Sequence, residues 1–133
     1  MADALEDTRK RVVVIGEDDE PIANLLRDAL DDEPGYQAIV VTDGRQVVGT
    51  VAKERADLLI LDIMMPGLSG FEIFDKLRSA PATARMPILF ISAAVGHYAD
   101  DFASRGITDV IAKPFDLNDF LARVEAICPP RGG

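Results

Sequence analysis

The stretch Ala56-Asp57-Leu58-Leu59-Ile60-Leu61-Asp62-Ile63-Met64-Met65-Pro66-Gly67-Leu68-Ser69-Gly70 decides how this chain is read. Leu58 to Leu61 form an unbroken apolar run, too short for a typical helix and without polar alternation. That is the pattern of a strand covered on both faces, as in a parallel sheet. The run ends in Asp62, and three residues later Met65-Pro66-Gly67 cannot continue a strand. A carboxylate is therefore expected at the carboxyl end of a buried strand with a turn opening above it, the edge at which open α/β sheets bind ligands. Taken alone, an Asp there is equally a turn cap; the rest of the chain separates the two readings.

The 133 residues leave room for one domain with a full core. Apolar residues make up 48%, which argues against disorder over most of the length. No stretch approaches the roughly 20 apolar residues of a membrane span, and the acidic, polar N-terminus is unlike a secretory signal. The net charge of −9 speaks against nucleic acid as a direct partner, because its phosphates would be repelled. Cys128 is the single cysteine, so no internal disulfide can form and a cytoplasmic location is expected. Among Ala126, Ile127 and Pro129 it reads as a helix-end packing residue, and the lone His97 as a surface loop residue.

In chain order, residues 1–10 are polar and aperiodic, a loose arm. Val12 to Ile15 is a buried-strand run, followed by Gly16-Glu17-Asp18-Asp19-Glu20. Pro21 suits the first turn of a helix capped by Asp19 or Glu20, with Ile22, Leu25, Leu26, Ala29 and Leu30 on one face. Ala38 to Val41 is the next strand, and Val47, Val48, Val51 and Ala52 mark a helix after Asp43-Gly44. The strand ending at Asp62 follows, then a helix carrying Phe71, Phe74 and Leu77. Pro87 introduces a strand from Ile88 to Ile91 that ends at Ser92. A helix is expected between Val95 and Arg105, with Tyr98 and Phe102 at helical spacing. Val110 to Ala112 is a short strand ending at Lys113-Pro114, and Asp116 caps a last helix bearing Leu117, Phe120, Leu121 and Val124. Domain limits of 11–128 follow, with 129–133 as a linker-like tail. Five alternations of strand and helix with short connections predict a doubly wound α/β domain with helices on both faces.

If the strands are parallel, Glu17, Asp18, Asp62, Ser92 and Lys113 all project from one edge of the sheet. Three carboxylates that close repel one another, and one is driven to hold a proton unless a cation sits among them. Oxygen-only ligands favour a hard ion such as Mg²⁺. A lysine and a short hydroxyl beside them suit a tetrahedral anion carried on an Asp oxygen. A solvated helix start and a Lys-Pro turn explain each piece singly, but not why every such side chain ends a strand.

With these residues in view, the sequence resembles the receiver domain of two-component response regulators, over residues 10–128. The resemblance is carried by VVVIGEDDEPI, LLILDIMMPGLSGFEI, PILFISA and IAKPF, in order and at family-like intervals. It implies a flavodoxin-like (βα)5 fold with strand order 2-1-3-4-5. It implies that Asp62 is the phosphoacceptor and that Glu17 and Asp18 form the acidic pair that helps hold Mg²⁺. By the same resemblance, Asp62 and the backbone carbonyl of Met64 complete the metal's protein ligands. Ser92 takes the switch Ser/Thr position and Lys113 the lysine position, before a Pro114 expected in a cis peptide. The partners implied are a sensor histidine kinase or phosphotransfer protein and a downstream effector domain or protein. The chain would then be a signalling module, not an enzyme, catalysing only its own phosphorylation and dephosphorylation.

The chain departs from the family pattern at four places. Val110 stands where many relatives carry an aromatic ring, and Tyr98 is a candidate to fill that space. The segment from Ser92 to Gly106 is about one residue short, and Gly16 precedes the acidic pair where bulkier residues are usual. Ala99 lies where a basic residue is expected opposite Asp109, Asp119 and Arg123, the set that pairs across active dimers in transcription-factor relatives. A monomer or weak dimer is therefore expected. Two alternatives are a Mg²⁺-dependent phosphatase of the haloacid dehalogenase type, which wants a second Asp where Met64 stands, and a receiver that works by binding alone.

Overall fold

The computed structural model describes residues 9–132. Most of the arm expected over residues 1–10, and Gly133 of the tail, lie outside the described residues. Five parallel strands, β1 (Arg11–Gly16), β2 (Tyr36–Val41), β3 (Leu58–Asp62), β4 (Ile88–Ser92) and β5 (Val110–Ala112), form one sheet in the order β2-β1-β3-β4-β5. The helices are α1 (Glu20–Asp31), α2 (Val47–Glu54, entered through a 3-10 turn at Gly44–Gln46), α3 (Gly70–Ser79), α4 (Ala99–Ser104) and α5 (Leu117–Ile127). This is the doubly wound, flavodoxin-like arrangement expected from the alternation and the resemblance.

Strand alternation sorts the core into two layers. Val14, Leu59, Leu61 and Phe90 point to one face, where Val47 and Val51 of α2, Phe71, Ile73 and Leu77 of α3 and Phe102 of α4 cover them. Val13, Ile15, Leu58 and Ile60 point to the other, against Leu26 and Leu30 of α1 and Phe120 and Val124 of α5. All five residues of β3 are buried, as the unbroken apolar run required. Register pairs Gly16 with Leu61, Asp62 with Ile91 and Ser92 with Ala112, so the carboxyl ends of β1, β3, β4 and β5 stand side by side.

Caps fix where the helices start. Asp19 accepts from the Ile22 amide at 3.3 Å with Pro21 in the first turn of α1, and Asp116 accepts from the Asn118 amide at 2.7 Å in α5. Ser69 and Glu72 close a reciprocal capping box on α3. Two sequence expectations shift. On α1 the buried positions are Ala23, Leu26 and Leu30, whereas Leu25 is 51% exposed, because the face against the sheet is rotated towards the small Ala23. The helix expected between Val95 and Arg105 shortens to the six residues Ala99–Ser104. Gly96 lies in its would-be first turn and no side chain caps it, so the preceding residues stay in turns.

The end of the chain is tied under the opposite, amino-terminal end of the sheet. Arg131 pairs with Asp57 at 2.8 Å, and the Arg11 guanidinium, 3.6 Å from Asp57, donates to the Pro129 carbonyl at 2.9 Å. The Tyr36 hydroxyl donates to the carbonyl of the buried Cys128 at 2.7 Å. Gly35 lets Pro130 lie against the backbone, since a Cβ there would come within 2.7 Å of the Pro130 ring.

Candidate functional site

Four of the five strand ends deliver side chains to a common cleft, two from β1 and one each from β3, β4 and β5. β1 ends at Gly16, so Glu17 and Asp18 follow as the chain turns into α1; Glu17 is fully buried and Asp18 is exposed. β3 delivers Asp62, 7% exposed, and β4 delivers Ser92, 2% exposed. Lys113 follows β5, its amide bonded to the Ser92 carbonyl at 2.8 Å and its peptide to Pro114 cis.

The Lys113 ammonium reaches across the sheet edge and donates to Glu17 Oε1 at 2.7 Å and Asp62 Oδ2 at 2.8 Å. Asp62 Oδ1 accepts from the Met64 amide at 3.2 Å. The turn expected above Asp62 is thus present, and its first amide is spent on the carboxylate. Glu17, Asp18 and Asp62 can bring one oxygen each within 4.8 Å of one another. Glu17 Oε2 is buried and has no hydrogen-bond partner.

Burial, then the neighbouring Asp62 carboxylate, pushes the Glu17 carboxyl well above the usual range, against the pull of Lys113. Asp62 moves the other way: burial works to raise it, but the adjoining Glu17 carboxyl, the Lys113 ammonium and its charge, and the Met64 amide together hold it low. Burial alone would lower Lys113, and the two carboxylates more than reverse that. One ammonium cannot balance two buried carboxylates and an exposed third, so the pair resists carrying its full negative charge, Glu17 more than Asp62. An all-oxygen set with one orphaned buried acceptor fits a hard divalent cation.

The Ser92 hydroxyl accepts from the Ala94 amide at 3.0 Å, which ties it into the loop after β4. Tyr98, further along that loop, stands edge-on to Phe71 with ring centroids 5.6 Å apart. Its hydroxyl donates to Met64 Sδ at 3.1 Å. Tyr98 and Val110 both pack against the same apolar layer. The Tyr98–Met64 contact is not legible in sequence, since neither residue belongs to a motif that pairs them. The space a side chain at Gly16 would need is taken by Leu61, 2.9 Å from an added Cβ, with Met65 and Val47 just beyond. His97 is exposed, as a surface loop residue.

A family model described as the response regulator receiver domain matches residues 13–125. The chain belongs to this family. It is therefore a signalling module of two-component systems. The phosphate regulon transcriptional regulatory protein PhoB of Rhizobium meliloti is 34% identical over 117 residues, covering 86% of this chain and 51% of that protein. The receiver thus spans about half the length of that curated relative. The chemotaxis response regulator CheY4 of Vibrio cholerae superposes with a TM-score of 0.80 at 25% identity, over 89% of this chain and 98% of that one. The receiver domain of sensor histidine kinase PA1611 from Pseudomonas aeruginosa, solved with a magnesium ion coordinated in its active site cleft, gives 0.76 at 24% identity, over 89% and 97%. Among the described residues of the receiver, no helix is long and apolar enough to cross a membrane.

Proposed function

We propose that this receiver accepts a phosphoryl group on Asp62 from a phosphohistidine of a partner histidine kinase or phosphotransfer protein. The observation that carries the reading is the Lys113 ammonium shared between Glu17 and Asp62, with a third carboxylate alongside and one buried oxygen left unpartnered. In the transfer the phosphorus–nitrogen bond breaks as an Asp62 oxygen bonds to phosphorus. The protein's part is positioning and electrostatics. Asp62, held ionised, is the nucleophile. Lys113 offsets charge on the transferring oxygens, and the Met64 amide fixes the carboxylate's orientation. Glu17, Asp18, Asp62 and the Met64 carbonyl would hold Mg²⁺. When bound, that ion neutralises the carboxylates and the phosphoryl oxygens. Ser92 is the hydroxyl drawn towards the new phosphoryl group, pulling its loop with it and biasing an equilibrium between two surface arrangements. An effector domain or protein reads that change.

The test is phosphate-affinity electrophoresis after incubation with acetyl phosphate and Mg²⁺. Wild type is expected to shift, and Asp62→Asn to stay unshifted. Equal modification of both proteins would move the acceptor elsewhere. A phosphatase of the haloacid dehalogenase type is disfavoured by Met64, whose thioether cannot act as the general acid that chemistry uses.

A further inference from the structure

We propose that Met64 is an oxidation-sensitive site, converted to its sulfoxide by a hydroperoxide, and that this conversion shortens the lifetime of phosphorylated Asp62. The second half rests on Asp62 being the phosphoacceptor; the first half does not. Met64 is 66% exposed, while Met86 is 9% exposed and Met65 packs partly into the apolar layer over α2 and α3. An apolar side chain that exposed contributes little to the core, so its thioether is open to reagents. It borders an open groove also lined by Asp18, Met65, Leu68 and Glu72, wide enough for a small hydroperoxide.

The surroundings favour the product. Tyr98 O–H already donates to the sulfur at 3.1 Å, and a thioether is a weak acceptor. A sulfoxide oxygen is a strong one, so the same donor stabilises the oxidised side chain more than the reduced. In the reaction a sulfur lone pair attacks the distal peroxide oxygen, the O–O bond breaks and an S–O bond forms. The leaving hydroxide or alkoxide takes up the proton released, giving water or an alcohol. Sulfur loses two electrons and the peroxide gains them; methionine sulfoxide reductases restore the thioether.

The consequence follows from where Met64 is anchored. Its amide lies 3.2 Å from Asp62 Oδ1, which keeps residue 64 beside the acceptor carboxylate. Oxidation therefore adds a strong acceptor at the mouth of the site, able to orient the water that attacks an acyl phosphate.

The experiment treats the folded protein with dilute hydrogen peroxide and maps oxidation by peptide mass spectrometry. Met64 is expected to convert about tenfold faster than Met86, and ahead of Met65. Phosphoprotein decay is then followed before and after treatment. Several-fold faster decay is expected in treated wild type, reversed by a methionine sulfoxide reductase. Met64→Leu should show no change on treatment, and Met64→Gln, carrying a fixed amide acceptor, should decay fast without it. Conversion of Met86 or Met65 as fast as Met64 would overturn the site, and unchanged decay after full conversion of Met64 would overturn its effect. Untreated protein that never labels would refute Asp62 as acceptor and the lifetime effect with it, while the mapping still judges the oxidation site.

Discussion

Lys113 and Glu17 meet at 2.7 Å although 96 residues separate them, each just past the end of a different strand. The same ammonium holds Asp62 at 2.8 Å, so two buried carboxylates depend on one cation. Removing one partner of a buried ion pair leaves an uncompensated charge and commonly costs about 3–5 kcal/mol. Lys113→Met is therefore expected to lose about 3 kcal/mol in urea denaturation without divalent ions. Glu17→Gln in the same background should recover most of the loss. A single variant as stable as wild type would show that the carboxylates already share enough protons to do without the lysine.

The tie beneath the sheet is a second dependence on one side chain. Asp57 Oδ2 accepts from the Val12 amide at 2.8 Å, while Oδ1 takes Arg131 at 2.8 Å. Asp57→Ala strands the amide and releases the arginines, an expected loss of about 2 kcal/mol. Arg131→Ala removes a partly exposed pair and leaves the Val12 amide its acceptor, so it should cost less, at most about 1 kcal/mol. Urea midpoints of the two variants compare them directly; an Arg131 loss equal to the Asp57 loss would contradict the ranking.

Tyr36 gives the fold an alkaline limit. Burial, with negative charge around Cys128 and Glu125, pushes its hydroxyl up from 10 to about 12. The unfolded chain loses the proton near pH 10 while the folded chain keeps it. The unfolded state then binds fewer protons, and stability falls with rising pH. Tyr36's contribution is fully present below pH 10 and is lost as pH climbs towards 12. Tyr36→Phe should lose about 1 kcal/mol at neutral pH, for the bond to the Cys128 carbonyl. Its stability should then decline less steeply than wild type between pH 10 and 12. Parallel pH curves would place the titrating group elsewhere.

Why some of this was readable in sequence, and some not, is a matter of range. The run from Leu58 to Leu61 announces a strand buried on both faces because each residue's environment is set by the pleat alone. Asp19 and Asp116 announce helix starts because a cap is a bond between residues two or three apart. The exposure of Leu25 depends on how α1 rolls on the sheet, which its own periodicity does not fix. Glu17 and Asp18 look alike in an acidic run, and only the sheet buries one and leaves the other in water. Asp57, Arg131 and Arg11 carry no motif at all; they meet because β1, β3 and the end of the chain converge.

Arg123 bears on assembly. Its guanidinium lies 4.0 Å from Asp109 and 3.5 Å from the Val110 carbonyl within the same chain. With Ala99 in place of a basic residue, a face that pairs through such ions has fewer of them to offer. Light scattering with and without a phosphoryl mimic is expected to show a monomer or weak dimer in both states. A tight dimer formed only with the mimic would contradict this.

With Asp62 as the proposed phosphoacceptor, the lifetime of its phosphorylated form is expected to follow from the residues around the water's path. Hydrolysis of an acyl phosphate needs a water aligned opposite the Asp62 oxygen, and nearby polar side chains can hold it there. Two positions past Asp62 stands Met64, whose thioether accepts weakly and is already engaged by the Tyr98 hydroxyl. Two positions past Ser92 stands Ala94, whose amide is bonded to the Ser92 hydroxyl and whose side chain has nothing to offer a water. Lacking a positioning group commonly costs on the order of tenfold or more in rate. Phosphorylated Asp62 is therefore expected to decay slowly in Mg²⁺ buffer while Met64 is reduced, and a phosphatase or the partner kinase would end the signal. Met64→Asn/Ala94→Glu should decay about tenfold faster. Wild-type decay as fast as that of the double variant would mean these two sites do not limit the attack.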